Sequence, residues 1–398
     1  MYKLNIREVC YALSEALDYV GIDDVYHGKR VAYMASKIYQ ALGYSQERVD
    51  DIITIGMLHD CGVSNTDIHQ SLITELDWEG SQNHCLKGAA LVQKVSFYKE
   101  YTNAILYHHT HWSELKELKL TEIQKRDANV IFLVDRADAL RAQKKSPASI
   151  VRTLKEQESK MFDGELLEVF EQVSTPESFW FYLEDNNIEL FLQEWIDEAQ
   201  EKEYTFEHIK EIALMFSDIV DAKSTFTAQH SLKVSQVAFF LGQELGLSPD
   251  HLEILELAAL LHDLGKLRIA DSILEKKGPL TPQERKIMDR HSFDSEMILR
   301  KIRGFREIAQ LAANHHETLD GNGYPYQKQA SEISLETRIL TLSDIFQALA
   351  QNRPYRKTLS LESIIDILND MERVGKLDTQ VLNTLRKHIQ TLYELAVS

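Results

Sequence analysis

The chain has 398 residues, 44% hydrophobic and 27% charged, the make-up of a globular protein of two or three domains rather than a disordered or fibrous one. Its 16 Gly and 7 Pro are about half the usual share, which favours long helices over many short strands. A net charge of −18 argues against duplex DNA or an anionic membrane as partner, and any site for a small anion must build its own positive charge.

Residues 1–20 are amphipathic and carry acidic side chains, unlike a signal peptide. No stretch approaches the ~18 apolar residues of a membrane span. Cys10, Cys61 and Cys85 are odd in number and form no CxxC pattern, which suits a reducing, cytoplasmic location. Apolar residues recur three and four apart over 27–43, 49–60 and 126–143, the helix pattern. Residues 146–203 are rich in acidic and aromatic side chains and read as further helices of the first domain. Residues 201–223 read as a long amphipathic connecting helix. The helical pattern returns over 230–246, 251–263, 306–317 and 336–351. No Pro/Gly/Ser linker separates the halves, so the domains are expected to pack together.

Fifteen histidines punctuate these segments, and ten of them fall on a repeated grid. His27 to His59 spans 32 residues, as does His230 to His262. His84 to His108 spans 24, as does His291 to His315. Both first histidines open an HxxxV pattern, and Gly43 and Gly246 each lie 16 residues beyond them. The pairs His59-Asp60 and His262-Asp263 sit in MLHDCG and LLHDLG, and Asp135 and Asp344 are each followed by Ala-Leu at the same offset. A period of about 200 residues is far beyond that of a solenoid, so these are two copies of one helical domain.

Each copy offers His, His-Asp, His, His-His and Asp, seven imidazole or carboxylate groups. One metal ion needs four to six ligands, so seven suit two ions about 3.5–4 Å apart with a bridging carboxylate. Such ligands suit Fe, Mn, Ni, Zn or Co, and the lack of Cys on the grid argues against a thiolate zinc site. Cys61 and Cys85 read as buried small hydrophobes. Two such ions activate water and clamp phosphate oxygens, so the natural chemistry is hydrolysis of a phosphate ester.

The second copy, roughly residues 205–398, resembles the HD-GYP family of the HD phosphohydrolase superfamily. The resemblance rests on His230, the run His262-Asp263-Leu264-Gly265-Lys266, His291, the segment HHETLDGNGYP from His315 to Pro325, and Asp344. KKGPLTPQER and NRPYR at 352–356 add to it. It implies an all-α fold of two HD-type bundles joined by a helical connector, over 1–200 and 201–398. It implies bacterial second-messenger chemistry: a cyclic-dinucleotide phosphodiesterase acting on cyclic di-GMP, 3′3′-cyclic GMP-AMP or both. The competing readings are an HD hydrolase of other nucleotides and a non-catalytic HD signalling scaffold.

By the same resemblance, His230, His262, Asp263, His291, His315, His316 and Asp344 would hold two divalent ions, Fe or Mn before Ni, Co or Zn, with Asp263 bridging. Trinuclear members carry a Glu four residues before the first His. Here that residue is Phe226, so a binuclear centre is expected. Lys266 would hold a scissile phosphate oxygen and offset charge in the transition state. Gly323 and Tyr324 would line the substrate, Gly321 and Gly323 would allow positive φ and close backbone approach, and Arg353 and Arg356 would bind the second phosphate. A homodimer is an open expectation.

The first copy keeps His27, His59, Asp60, His84, His108, His109 and Asp135, a candidate residual metal site. Val63 stands where the second copy has Lys266, and no GYP loop follows His109. A degenerate domain with a regulatory or structural role is expected.

Overall fold

The computed structural model describes all residues except 22–25, 64–71, 73–74, 224–228, 352–358 and 398. The regular structure of the described residues is helical apart from two three-residue strands, Tyr2–Leu4 and Lys202–Tyr204, which pair with each other. The chain divides into a compact unit of Asn5–Lys202 and another of Met1–Leu4 with Glu203–Ser398. Sequence periodicity missed this pairing, because three residues are too short to show alternation. The first strand belongs to the second unit, where Leu4 is buried and the Tyr2 hydroxyl donates to Glu253 at 3.0 Å. The 201–223 segment accordingly holds a strand before its helix, Phe206–Lys223.

Each unit builds the same three-helix core from sequence-coded starts and stops. Helix His27–Ala41 packs on Gln46–Leu58 and Glu122–Ala142. Helix His230–Glu244 packs on Pro249–Leu261 and Leu335–Ala350. Ser248 accepts from the His251 amide at the start of its helix, with Pro249 in the first turn, and Ser334 caps the Thr337 amide. Gly43 and Gly246, at φ +74° and +78°, end the first helix of each core, as left-handed C-terminal residues do.

The third helix of the first unit is buried without interruption from Asp127 to Leu140, so apolar residues surround it rather than forming a stripe. In the second unit Val234, Val237 and Leu241 are fully buried against Leu255 and Ile339 neighbours of the same core. Burying each such side chain contributes about 1.5–3 kcal/mol. In the first unit, a Cβ on Gly56 would come within 2.7 Å of Ala32 Cα, so the absent side chain lets those two helices touch. This close packing carries polar side chains into the interior, where the sites lie.

Candidate metal centre

Helix ends and short turns bring the second-unit grid together. His230 opens its helix, His262 caps the end of Pro249–Leu261, His291 begins His291–Leu299, and His315-His316 form a 3-10 turn after Arg306–Ala313. Asp344 lies mid-helix on Leu335–Ala350. His262, Asp263, His291 and His315 are almost completely buried.

Asp263 divides its two oxygens between two groups. Oδ2 lies 3.3 Å from His262 Nε2 and 3.6 Å from His230 Nε2. Oδ1 lies 3.4 Å from His291 Nε2 and 3.8 Å from His315 Nε2. His230, His262 and Asp344 form one candidate ligand group, and His291, His315 and His316 another. His230 Nε2 is 3.2 Å from Asp344 Oδ1, and the Nε2 atoms of His291 and His315 are 3.2 Å apart.

The ring orientations are set by the outer nitrogens. Nδ1 of His262, His291 and His315 each faces a backbone carbonyl three residues earlier, at 2.7, 2.6 and 2.6 Å. Nδ1 of His230 faces Gln347 Oε1 at 2.6 Å. Such contacts fix the tautomer and turn Nε2 inward, a usual support for metal-binding histidine. Gln347 was missed at the sequence level, although it follows Asp344 by one helical turn and shares its face.

Burial shapes the charges. It holds His291 down to about 4 and His316 down to about 3, and it holds His315 well below the usual imidazole range. These rings are neutral lone-pair donors at pH 7. Burial would raise Asp263, but charge on His262 and Lys266 holds it well below the usual carboxylate range. Burial opposes ionisation of Asp344 too, and His230 overcomes it. His262 Nε2 and Asp263 Oδ1 are buried without a hydrogen-bond partner. Inward-facing polar atoms with no partner are what a cation would satisfy, so these residues fit a metal centre.

The motif glycine and the loop have structural reasons of their own. A Cβ on Gly265 would fall 2.1 Å from the His291 carbonyl, so Gly265 lets the next helix start against the His-Asp turn. Ser295 Oγ locks that approach, accepting from Gly265 N and donating to His262 O, both at 2.8 Å. Lys266 lies on the 3-10 turn Leu264–Arg268 and its ammonium contacts Asp263 Oδ2. Gly321 has φ +73°, as expected, but Gly323 is not in the positive-φ region. Gly323 is needed for close approach alone, since a Cβ there would meet the backbone of His316 to Thr318 within 2.7 Å. The buried carboxylate of Glu317 accepts from Tyr326 N and Lys328 N at 2.7 and 2.9 Å, anchoring the loop. Tyr324 stands 4.6 Å from the His316 ring, at the edge of the centre. Arg353 and Arg356 lie outside the described residues.

The first unit reproduces the arrangement. Asp60 turns Oδ2 to His59 and His27 at 3.5 and 3.7 Å, and Oδ1 to His84 and His108 at 3.2 and 3.9 Å. His27 Nε2 lies 3.3 Å from Asp135 Oδ1, and His109 Nε2 lies 3.6 Å from Asp135 Oδ2. A Cβ on Gly62 would meet the His84 carbonyl at 2.0 Å, the counterpart of Gly265. Around this shell the units differ. Val63 is buried where the second unit presents Lys266, and the turn after His109 bonds to Lys160 and Met161 instead of forming a loop over the site.

Models of the HD domain match residues 25–140 and 214–381. The 3′3′-cGAMP-specific phosphodiesterase 1 of Vibrio cholerae is 35% identical over 408 aligned residues, covering 100% of this chain and 95% of that protein. The 3′3′-cGAMP-specific phosphodiesterase 3 of the same organism is 30% identical, covering 78% of this chain and 68% of that protein. The solved structure of a cyclic GMP-AMP-specific phosphodiesterase from V. cholerae, V-cGAP3, shares the fold with a TM-score of 0.65 at 23% identity, covering 98% of each chain.

Proposed function

The chain belongs to the HD-GYP family of HD-domain phosphodiesterases, and from that premise we propose that its second unit hydrolyses a phosphodiester of a cyclic dinucleotide, 3′3′-cyclic GMP-AMP in preference to cyclic di-GMP. The observation that carries this reading is the division of Asp263 between two imidazole groups. One carboxylate facing two ligand sets is the arrangement that supports a bridged pair of ions. The preference for the hybrid substrate rests on the relatives matched over both halves, whose names give 3′3′-cGAMP specificity.

His230, His262 and Asp344 would hold one ion, His291, His315 and His316 a second, and Asp263 would bridge. Held by these residues, a pair of Fe or Mn ions would supply a water nucleophile at neutral pH and draw charge from the phosphate oxygens. The neutral His291, His315 and His316 offer lone pairs without first losing protons. Lys266, released from Asp263 when that carboxylate has another partner, places its ammonium on a non-bridging phosphate oxygen and stabilises the charge that develops there. Tyr324 lines the pocket on the His316 side, and the Glu317 anchor keeps it there. By the family resemblance, Arg353 and Arg356 would hold the phosphate that is not cleaved.

The first unit would serve regulation or structure, because it has no counterpart of Lys266 and no loop to form a substrate wall. Among the described residues no helix is long and apolar enough to cross a membrane.

The test offers purified, Mn- or Fe-loaded protein 3′3′-cyclic GMP-AMP, cyclic di-GMP and dGTP. Expected is linear dinucleotide from the hybrid first. Turnover of dGTP alone would move the enzyme to ordinary nucleotides, and no turnover at full metal occupancy would leave a binding scaffold. Asp263→Ala should abolish activity, whereas Asp60→Ala should leave most of it.

A further inference from the structure

We infer that the first unit binds a single zinc ion through Cys85, His84, His108 and Asp60, and so is a differently specialised metal site rather than a decayed copy of the binuclear one. Cys85 follows His84 as Ser292 follows His291. Its Sγ lies 3.7 Å from His84 Nε2 and 4.0 Å from His108 Nε2. Those two nitrogens are 3.1 Å apart, and Asp60 Oδ1 lies 3.2 and 3.9 Å from them. A tetrahedral ion with Zn–N of about 2.0–2.1 Å and Zn–S of about 2.3 Å has edges of about 3.4 Å between nitrogens and about 3.6 Å between sulfur and nitrogen. Cys85 Sγ and the two imidazole nitrogens stand within about 0.4 Å of those figures, with Asp60 Oδ1 close to His84 Nε2 and farther from His108 Nε2.

The Cys85 thiol donates to the Ser81 carbonyl at 3.4 Å, a bond that conversion to thiolate would give up. His108 Nδ1 contacts the Ile105 carbonyl at 2.7 Å, which turns its Nε2 lone pair toward His84. Asp60 Oδ1 and the nearby His109 Nε2 are buried with no hydrogen-bond partner. Bare acceptors facing one another in a dry pocket cost free energy that a cation removes.

The other half of the site is closed to a second ion by a fixed charge. Arg136 sits beside Asp135 where Ile345 sits beside Asp344. Its Nη2 and Nε lie 2.8 and 3.2 Å from Asp135 Oδ2, and its Nη1 donates to the Glu75 carbonyl at 2.6 Å. Buried to 2% exposure, this guanidinium cannot swing into water, and it repels a divalent ion at His27, His59 and Asp135. One thiolate, two imidazoles and one carboxylate form a soft four-coordinate set that suits zinc, unlike the nitrogen and oxygen ligands of the second unit. Binding converts the Cys85 thiol to thiolate, forms the Zn–S bond and releases one proton to solvent.

The inference does not rest on the reaction of the second unit, and its test reads spectra rather than turnover. Full-length protein carrying His262→Ala and Asp263→Ala is titrated with Co(II) as the probe for zinc. Expected are one equivalent of Co(II), the strong visible bands of a four-coordinate ion and a near-ultraviolet thiolate charge-transfer band. Adding Cys85→Ser should remove that band with the helical circular dichroism unchanged, because serine is what the second unit carries there. Cys61→Ser should keep it. Two equivalents, no binding, binding without the band, or a band that survives Cys85→Ser would each overturn the inference.

Discussion

His230 Nδ1 meets the neutral amide oxygen of Gln347 at 2.6 Å, whereas its counterpart His27 Nδ1 meets the carboxylate of Asp138 at 2.9 Å. Asp138 is itself held by Arg30 at 2.8 Å and Arg141 at 2.7 Å. The two contacts have opposite electrostatic consequences. The carboxylates Asp135 and Asp138 raise His27 well above its ordinary range against the effect of burial, which favours a protonated ring. The amide adds no charge behind the His230 ring. The two units thus differ in the charge behind the first histidine, although the inward distances are nearly equal.

Gln347→Ala should weaken metal binding about 10–100-fold, as loss of an orienting partner does. With excess Mn or Fe the turnover number should recover. Metal titration followed by rate measurement at saturation separates this from a catalytic defect, and a low rate at full occupancy would contradict the orienting role.

Lys266→Met should behave in the opposite way. Its metal content should match the parent, while kcat falls about 10²–10³-fold, the usual cost of losing one group that stabilises transition-state charge. Parallel loss of metal would show that Lys266 acts through Asp263 instead.

The metal-free protein should lose stability as pH falls below the ordinary imidazole range. Burial holds His291 and His316 down to about 4 and about 3 when folded, against about 6.5 for a free imidazole. The unfolded chain takes up these protons first, so their contribution is complete above about pH 6.5 and is lost as pH falls toward 4. Each proton of difference changes stability by about 1.4 kcal/mol per pH unit. Urea midpoints at pH 7.5, 6 and 5 check this, and a midpoint that rises on acidification would refute it.

Gly265→Ala should cost about 1–3 kcal/mol or more, because the added methyl meets a backbone carbonyl that can move only with its helix. Gly278→Ala, which meets nothing within 4 Å, should leave the melting temperature unchanged. Thermal melts of both variants compare a crowded glycine with an open one.

Much of this was legible in sequence. Helix-period spacing marked both cores, and the doubled histidine intervals selected the seven inward-facing residues of each unit. Those residues are recoverable because a helix turns chemical spacing into spatial direction. Pairing of Tyr2–Leu4 with Lys202–Tyr204 was not recoverable, since its hydrogen bonds join segments some 200 residues apart with no periodicity of their own.

The sequence by itself determined the helical duplication, the ligand types and the absence of a lysine and a GYP loop from the first copy. Tertiary structure decided what each ligand faces. Gln347 or Asp138 behind the first histidine, Arg136 reaching the Glu75 carbonyl, and Cys85 turned toward His108 are relations between separate segments. Charge and coordination depend on distances of a few ångströms, and only packing brings residues so far apart in the chain within that range.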